Sequence, residues 1–245
     1  MTLEFPDPRG LLPDPGDPAS ARRPLAPFGL PFTALLIEGR GRRAGVPGTA
    51  RPSFDEGRGP AIRAREALFE GAASVLTPNR FPFASPHGIL WARDGEPREW
   101  PEAFLVEAFR LLDRHGGILL GNTVGASASI PLAHLHWADF EAPLLPRLAE
   151  LPFAAAAIDD PDAGRRASSA RRLLDRRLTA PANLLALPGR AWILPRREEI
   201  PSPHFPHALG AMELAGFFVY PDRPSFDAAT ASSLEAALTA ALLPR

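Results

Sequence analysis

Apolar positions fall into short runs separated by proline, glycine and arginine, and the spacing inside each run predicts an element. Residues 32–38, 73–77, 87–92 and 118–120 are apolar runs of strand length, with a Pro78-Asn79-Arg80-Phe81-Pro82 turn between the second and third. After Pro101, Phe104, Ala108, Leu111 and Leu112 recur at helical spacing through residue 114, and Gly116-Gly117 stops that helix. The next strand carries His134 and His136. The second half repeats this order more weakly. It predicts a strand over 153–158 and an arginine-rich helix over 165–177 with Leu173 and Leu174 inward. Strands over 183–187 and 191–194 then flank a Pro188-Gly189 hairpin turn, before a strand over 214–220 and a terminal helix over 225–243.

Two segments break the pattern. Seven prolines between Pro6 and Pro27 make residues 1–31 an extended arm, loose or laid over the surface. Residues 39–60, rich in Gly, Arg and Pro, read as a long loop of the kind that serves as a lid or binding segment. Arg40, Arg42, Arg43, Arg51 and Arg58 stand in it, within reach of a substrate phosphate or as solvated surface charge. The stretch from Ala182 through Arg196 resembles a shortened copy of the strand–turn–strand around Asn79. The expected organisation is a proline-rich arm with a short strand and loop over 1–60, a half carrying the histidines over 61–150, and a degenerate second half over 151–245. The expected fold class is α+β, with antiparallel sheets and packed helices.

A chain of 245 residues with 45% hydrophobic positions has ample core. Its formal net charge is −1, which argues against binding nucleic acid through bulk positive charge. All 27 basic residues are arginine, so an anion clamp must use Arg, His or backbone N–H. With no cysteine there is no disulfide framework and no thiol catalysis. No basic-then-apolar leader opens the sequence, and no run approaches the ~20 apolar residues that span a bilayer. A cytoplasmic protein is expected, with no nucleic-acid or membrane partner.

The candidate chemistry lies in residues 121–137. The loop from Gly125 to Ser129 is built of small residues, which lets backbone N–H groups approach phosphate oxygens. It runs into an extended segment on which His134 and His136 share one face. A neutral imidazole is a nucleophile near pH 7, and the second can bind charge beside it. No cysteine and no third ligand at close spacing accompany the pair, so no metal site is expected.

Three segments resemble the histidine-triad superfamily, in its nucleotidyl-transferring branch. Thr77-Pro78-Asn79-Arg80-Phe81-Pro82 with His87-Gly88-Ile89-Leu90 is similar to that branch's strand–turn–strand. Asn122 through Ile130, followed by His134-Leu135-His136-Trp137, looks like the central motif of the GDP-hexose phosphorylases, and Asn183-Leu184-Leu185 with Met212-Glu213-Leu214 like their third segment. Diadenosine tetraphosphate phosphorylase and galactose-1-phosphate uridylyltransferase belong to the same branch. The resemblance implies two related halves and a nucleotidyl-histidine intermediate, formed from a nucleotide sugar or a dinucleotide. Inorganic phosphate or a sugar phosphate is the implied acceptor, with no cofactor and no catalytic divalent metal; a GDP-hexose is the preferred substrate. Related enzymes often pair subunits, so a homodimer is compatible with it.

The family pattern is His-x-His-x-Gln or His-x-His-x-His, with the middle histidine as nucleophile. Counted without a gap from Ser129, the nucleophile is His134 and the third position His136; a two-residue insertion makes them His136 and Ala138. The ungapped reading is preferred because it keeps a donor at the third position. Asn79, Arg80 and Phe81 are the expected contacts to base, ribose or phosphate. Asn122, Gly125, Ser127 and Ser129 are expected around the phosphate, and Glu213 at a sugar ring or in an ion pair. His87 is expected to support the fold near the site. A hydrolase of dinucleoside polyphosphates, a silent nucleotide binder, and an assembly protein docking through the arm are the rival readings.

Overall fold

Among the described residues the chain forms eleven strands. A computed structural model of the chain describes residues 4–38, 58–93, 99–128 and 132–245, with Arg58 by its backbone alone. The strands are β1 (Ala21–Leu25), β2 (Phe32–Leu36), β3 (Phe69–Glu70), β4 (Ser74–Pro78), β5 (His87–Ala92), β6 (Ile118–Asn122), β7 (His134–Ala138), β8 (Ala156–Asp159), β9 (Ala182–Leu187), β10 (Arg190–Pro195) and β11 (Phe217–Tyr220). Seven helices accompany them: α1 (Pro8–Leu11), α2 (Arg58–Glu66), α3 (Glu102–His115), α4 (Ala163–Asp175), α5 (Ala211–Leu214), α6 (Arg223–Ala228) and α7 (Ala231–Ala241).

Eight strands form one antiparallel sheet in the order β3-β4-β5-β7-β6-β9-β10-β8, so a single sheet runs through both halves of the chain and joins them at β6 and β9. A second sheet, β1-β2-β11, pairs β2 with β1 antiparallel and with β11 parallel. Side-chain alternation gives the large sheet two faces. Leu119, Leu135, Trp137, Leu184 and Ala186 turn to α3 and α4, which bury Phe104, Phe109, Leu112, Ala167 and Leu174 there. The opposite face carries Leu120, Leu185, Trp192 and Leu194, packed with Phe218 of the second sheet, Leu234 and Leu238 of the C-terminal helices, and Leu209 of the loop before Ala211. Ile62 of α2 packs on Val75, Ile89 and Trp91 of that same face, and Arg63 Nη1 donates to Ala92 O at 2.8 Å. Gly117 (φ +82°) lets the chain turn from α3 into β6, where a Cβ would stand 2.8 Å from Ala138 O. Among the described residues no helix is long and apolar enough to cross a membrane.

Five expectations are corrected. The arm is structured: Phe5 and Leu12 are buried, His115 Nε2 donates to Phe5 O at 3.0 Å, and β1 pairs with β2. Pro24 is tolerated because β1 is an edge strand. The expected loop over 39–60 gives way to α2 at Arg58, while residues 39–57 lie outside the described ones. The strand expected over 214–220 begins only at Phe217, because Glu213 caps α5 through Gly210 N (2.8 Å) and Gly216 (φ +102°) makes the turn. The terminal helix is two helices. Thr230 and Ser233 exchange side-chain-to-backbone bonds (3.1 and 3.0 Å), and this capping box starts α7 afresh. The strand expected from 153 starts at Ala156.

Candidate active site

Strand β7 lies between β5 and β6, and the pairing sets what its two histidines meet. His134 stands opposite Trp91, His136 is flanked by Ile89 and Leu120, and Ala138 by His87 and Ile118. All of these project from the face that carries α2 and the second sheet. The small-residue loop joins the end of β6 to the start of β7, and so sits at the His134 end of this row. His87 sits at the other end.

His134 is 2% exposed, with its ring centroid 5.6 Å from that of Trp91. Its Nδ1 donates to Leu132 O at 2.7 Å. A carbonyl can only accept, so the ring proton is on Nδ1 and the lone pair on Nε2. Burial pushes the imidazole below its usual pKa, against the smaller upward pull of that carbonyl. Two separate features therefore keep His134 a neutral base with a fixed tautomer.

His136 is half-buried, its ring centroid 5.4 Å from that of His134. Its Nδ1 lies 3.0 Å from His87 Nε2. His87 is buried under Phe83, whose backbone N–H donates to His87 Nδ1 at 3.3 Å. One proton lies between His87 Nε2 and His136 Nδ1, so the two imidazoles are hydrogen-bonded to each other. Asn79 closes the same edge. Its Oδ1 accepts from Phe81 N at 2.9 Å, which orients Nδ2 toward the imidazoles, 3.0 Å from His87 Nε2, 3.2 Å from His87 Nδ1 and 3.5 Å from His136 Nδ1. The row thus sets a lone pair on His134 beside a second imidazole, the pairing that a nucleophile and a charge-binding neighbour require. Among the described residues no group of three or more His, Cys, Asp or Glu is arranged to hold a metal ion.

The loop is held from behind. Asn122 Oδ1 accepts from Asn183 Nδ2 (2.7 Å) and from Ala211 N (2.8 Å). Asn183 Nδ2 also donates to Ala126 O at 2.9 Å, and Asn183 Oδ1 accepts from Arg196 Nη1 at 2.8 Å. Gly125 (φ +81°) and Ser127 (φ 78°) adopt the left-handed conformation, and Ser127 N donates to Glu199 Oε1 at 3.0 Å. Among the described residues, Asn122 thus meets the loop only through Asn183, which bonds the loop carbonyl of Ala126. Arg196, Asn183 and Glu199 belong to the same network; Asn183 stood in the third resembling segment, but none of the three was singled out as a site residue.

The remaining expected contacts spread out. Arg80 pairs with Glu66 of α2, and Phe81 is 59% exposed at the tip of the turn. Glu213 is buried and caps α5. Ser129 lies outside the described residues, as do Arg40, Arg42, Arg43, Arg51 and the Arg58 side chain. His87, read as support for the fold, hydrogen-bonds directly to His136.

This arrangement makes two testable statements. Replacing His87 with phenylalanine keeps the packing on Phe83 but removes the hydrogen-bond partner of His136 Nδ1. Turnover should fall about tenfold to hundredfold with little change in KM, and His87→Gln, which restores a donor, should recover part of it. Equal loss in both variants would mean that His87 acts only through packing. Because burial lowers the His134 pKa, its neutral form persists below the ordinary value of 6.5. The acid limb of kcat/KM should therefore fall below pH 6.5; a limb at or above that value would show that another group carries the reaction.

The sequence matches no protein-family model and no curated protein. Among solved structures, the chain matches yeast Ap4A phosphorylase Apa2 with TM-score 0.73 and 14% identity, over 100% of this chain and 96% of that one. The same yeast protein in complex with Ap4A matches at TM-score 0.72 and 14% identity, over 97% of each chain. Its complex with AMP matches at 0.71 and 12%, over 94% and 90%. Strand order, packed helices and this full-length superposition agree that the chain has the α+β fold of Ap4A phosphorylase.

Proposed function

We propose that this chain is a nucleotidyltransferase of the phosphorylase type, working through a nucleotidyl group on His134. The observation that carries the reading is the tautomer of His134, buried and neutral with its lone pair on Nε2, next to a second imidazole on the same strand face. Nε2 of His134 attacks the α-phosphorus, and an N–P bond forms. The bond to the bridging oxygen breaks, and the departing phosphate takes the electron pair. An acceptor oxygen, from inorganic phosphate or a sugar phosphate, then attacks the same phosphorus, and the N–P pair returns to Nε2. The His136 N–H and the backbone N–H groups of the loop stabilise charge on the non-bridging oxygens. The ungapped reading of the histidine motif fits this division of labour.

A fold shared with an enzyme crystallised with AMP and Ap4A supports a nucleotide at this site. The motifs around Asn122, His134 and Glu213 favour a GDP-hexose as donor over a dinucleotide. Intact-protein mass after brief incubation with GDP-, UDP- and ADP-sugars and diadenosine polyphosphates tests the reading. One nucleoside monophosphate should add to the chain from a GDP-sugar, and inorganic phosphate should discharge it as the diphosphate. Discharge by water at the same rate would make the chain a hydrolase. Nucleotide binding with no adduct and no product would make it a silent binder and overturn the proposal.

A further inference from the structure

A cleft of about 450 Å³ opens where β7 ends, on the side of the row away from the loop. Asp139 and Phe140, which follow Ala138 directly, form one wall, and Phe83 another. Phe83 belongs to both places: its ring centroid is 3.9 Å from that of His87 and 6.0 Å from that of His136. The cleft is therefore one aromatic ring away from the histidine pair. The folded arm supplies the outer rim through Asp14, Asp17 and Arg22.

The lining has a definite chemistry. Phe83 meets Phe140 at an interplanar angle of 89°, and Phe140 meets Phe217 at 87°. Edge-to-face rings give single apolar surfaces, not the parallel pair that would sandwich a nucleobase. Four carboxylates (Asp14, Asp17, Asp139, Glu141) line the space; Arg22 pairs with Asp17 and Arg9 with Asp139, which leaves an excess of two negative charges. Asp14 is held ionised by Ser85 and the Gly16 N–H, and Asp17 by Arg22. Ionised carboxylates only accept hydrogen bonds, and they repel phosphate. The occupant must bring hydroxyl or amine donors, one apolar face, and no negative charge.

We propose that this cleft seats an uncharged, hydroxyl-bearing ring: the hexose of a nucleotide sugar whose phosphates lie at the His134 end. The proposal rests on the nucleotidyl-transfer reading and names which part of the substrate goes where. The ribose of a second nucleoside has similar donors, so the test separates the two sources.

Glu141 is exposed at the rim and outside the core, so it can be changed without unfolding the chain. Affinity is measured by calorimetry for GDP, GDP-hexose and diadenosine tetraphosphate, on the wild type and on Glu141→Trp, which fills the cleft, and Glu141→Gln. The expected result is about a tenfold or greater loss for GDP-hexose in Glu141→Trp, a smaller loss in Glu141→Gln, and GDP binding unchanged within about twofold. An equal loss for GDP would place the base in the cleft, a loss confined to diadenosine tetraphosphate would place a second nucleoside there, and no loss would leave it empty. Each of these overturns the assignment to the hexose but leaves nucleotidyl transfer standing. If the wild type binds none of the three, the reading of the histidine site fails, and this one with it.

Discussion

His134→Ala should lose nucleotidyl transfer by about four orders of magnitude or more, and with it the covalent adduct. No other described residue pairs a buried, neutral imidazole on this face with a backbone carbonyl that fixes its tautomer. His136→Ala should behave differently. It removes a donor to the phosphate oxygens and not the attacking atom, so turnover should fall by about two to three orders of magnitude while an adduct still forms slowly. Rapid-quench kinetics followed by intact-mass measurement separates the two. If the adduct survives in His134→Ala and vanishes in His136→Ala, the nucleophile is His136, with Ala138 across from His87 at the third position.

The largest effect on stability is expected at Arg196. This side chain is 1% exposed, and its guanidinium is engaged all round. Nε donates to Ala241 O (3.1 Å), Nη1 to Asn183 Oδ1 (2.8 Å) and Leu209 O (2.7 Å), and Nη2 to Glu198 O (2.7 Å). Burial pulls its pKa down to about 10, with Glu213 and Glu199 holding it up, so it stays charged at neutral pH. Arg196→Met would leave Leu209 O and Glu198 O without the donor they have now, and Asn183 Oδ1 as well, while Ala241 O keeps Arg197 N at 2.9 Å. A loss of about 3–5 kcal/mol in urea unfolding follows, with Arg196→Lys recovering part of it. A change below about 1 kcal/mol would mean that water replaces the guanidinium at little cost. Because Asn183 passes the same bond on to Asn122 and Ala126, the loop should loosen as well.

Much of the sheet was legible because its strands are short apolar runs between turn-forming residues. The runs at 73–77 and 87–92, and the Pro188-Gly189 hairpin, fall within a residue or two of β4, β5, β9 and β10. What stayed hidden was set at long range. The arm carries prolines that favour extended chain, yet Phe5 and Leu12 find buried places and Arg9 bonds to His115 O and Asp139. Local pattern holds no trace of such partners. The short helix α5 was hidden too, since its cap depends on a glycine and on the same Glu213 that looked like a substrate contact. In the site, the shared face of His134 and His136 followed from the two-residue period of a strand. The link from His136 to His87 did not, because it depends on which strand lies beside β7. Asn79 was legible as a turn asparagine, and its approach to the imidazoles required the β4–β5 hairpin to close.

The second sheet sets an order of events during folding. β2 and β11 meet through Thr33 N to Gly216 O and Ile37 N to Tyr220 O, across roughly 180 positions of sequence. His87 and His136 are 49 positions apart and meet across adjacent antiparallel strands. Closing the longer loop costs more entropy, so that pairing forms late. Leu35 and Phe217, one from each of those two strands, line the cleft. On the reading proposed above, a refolding chain should therefore assemble its two imidazoles before it gains this wall of the cleft. For that interval it would be a chemically competent but indiscriminate species.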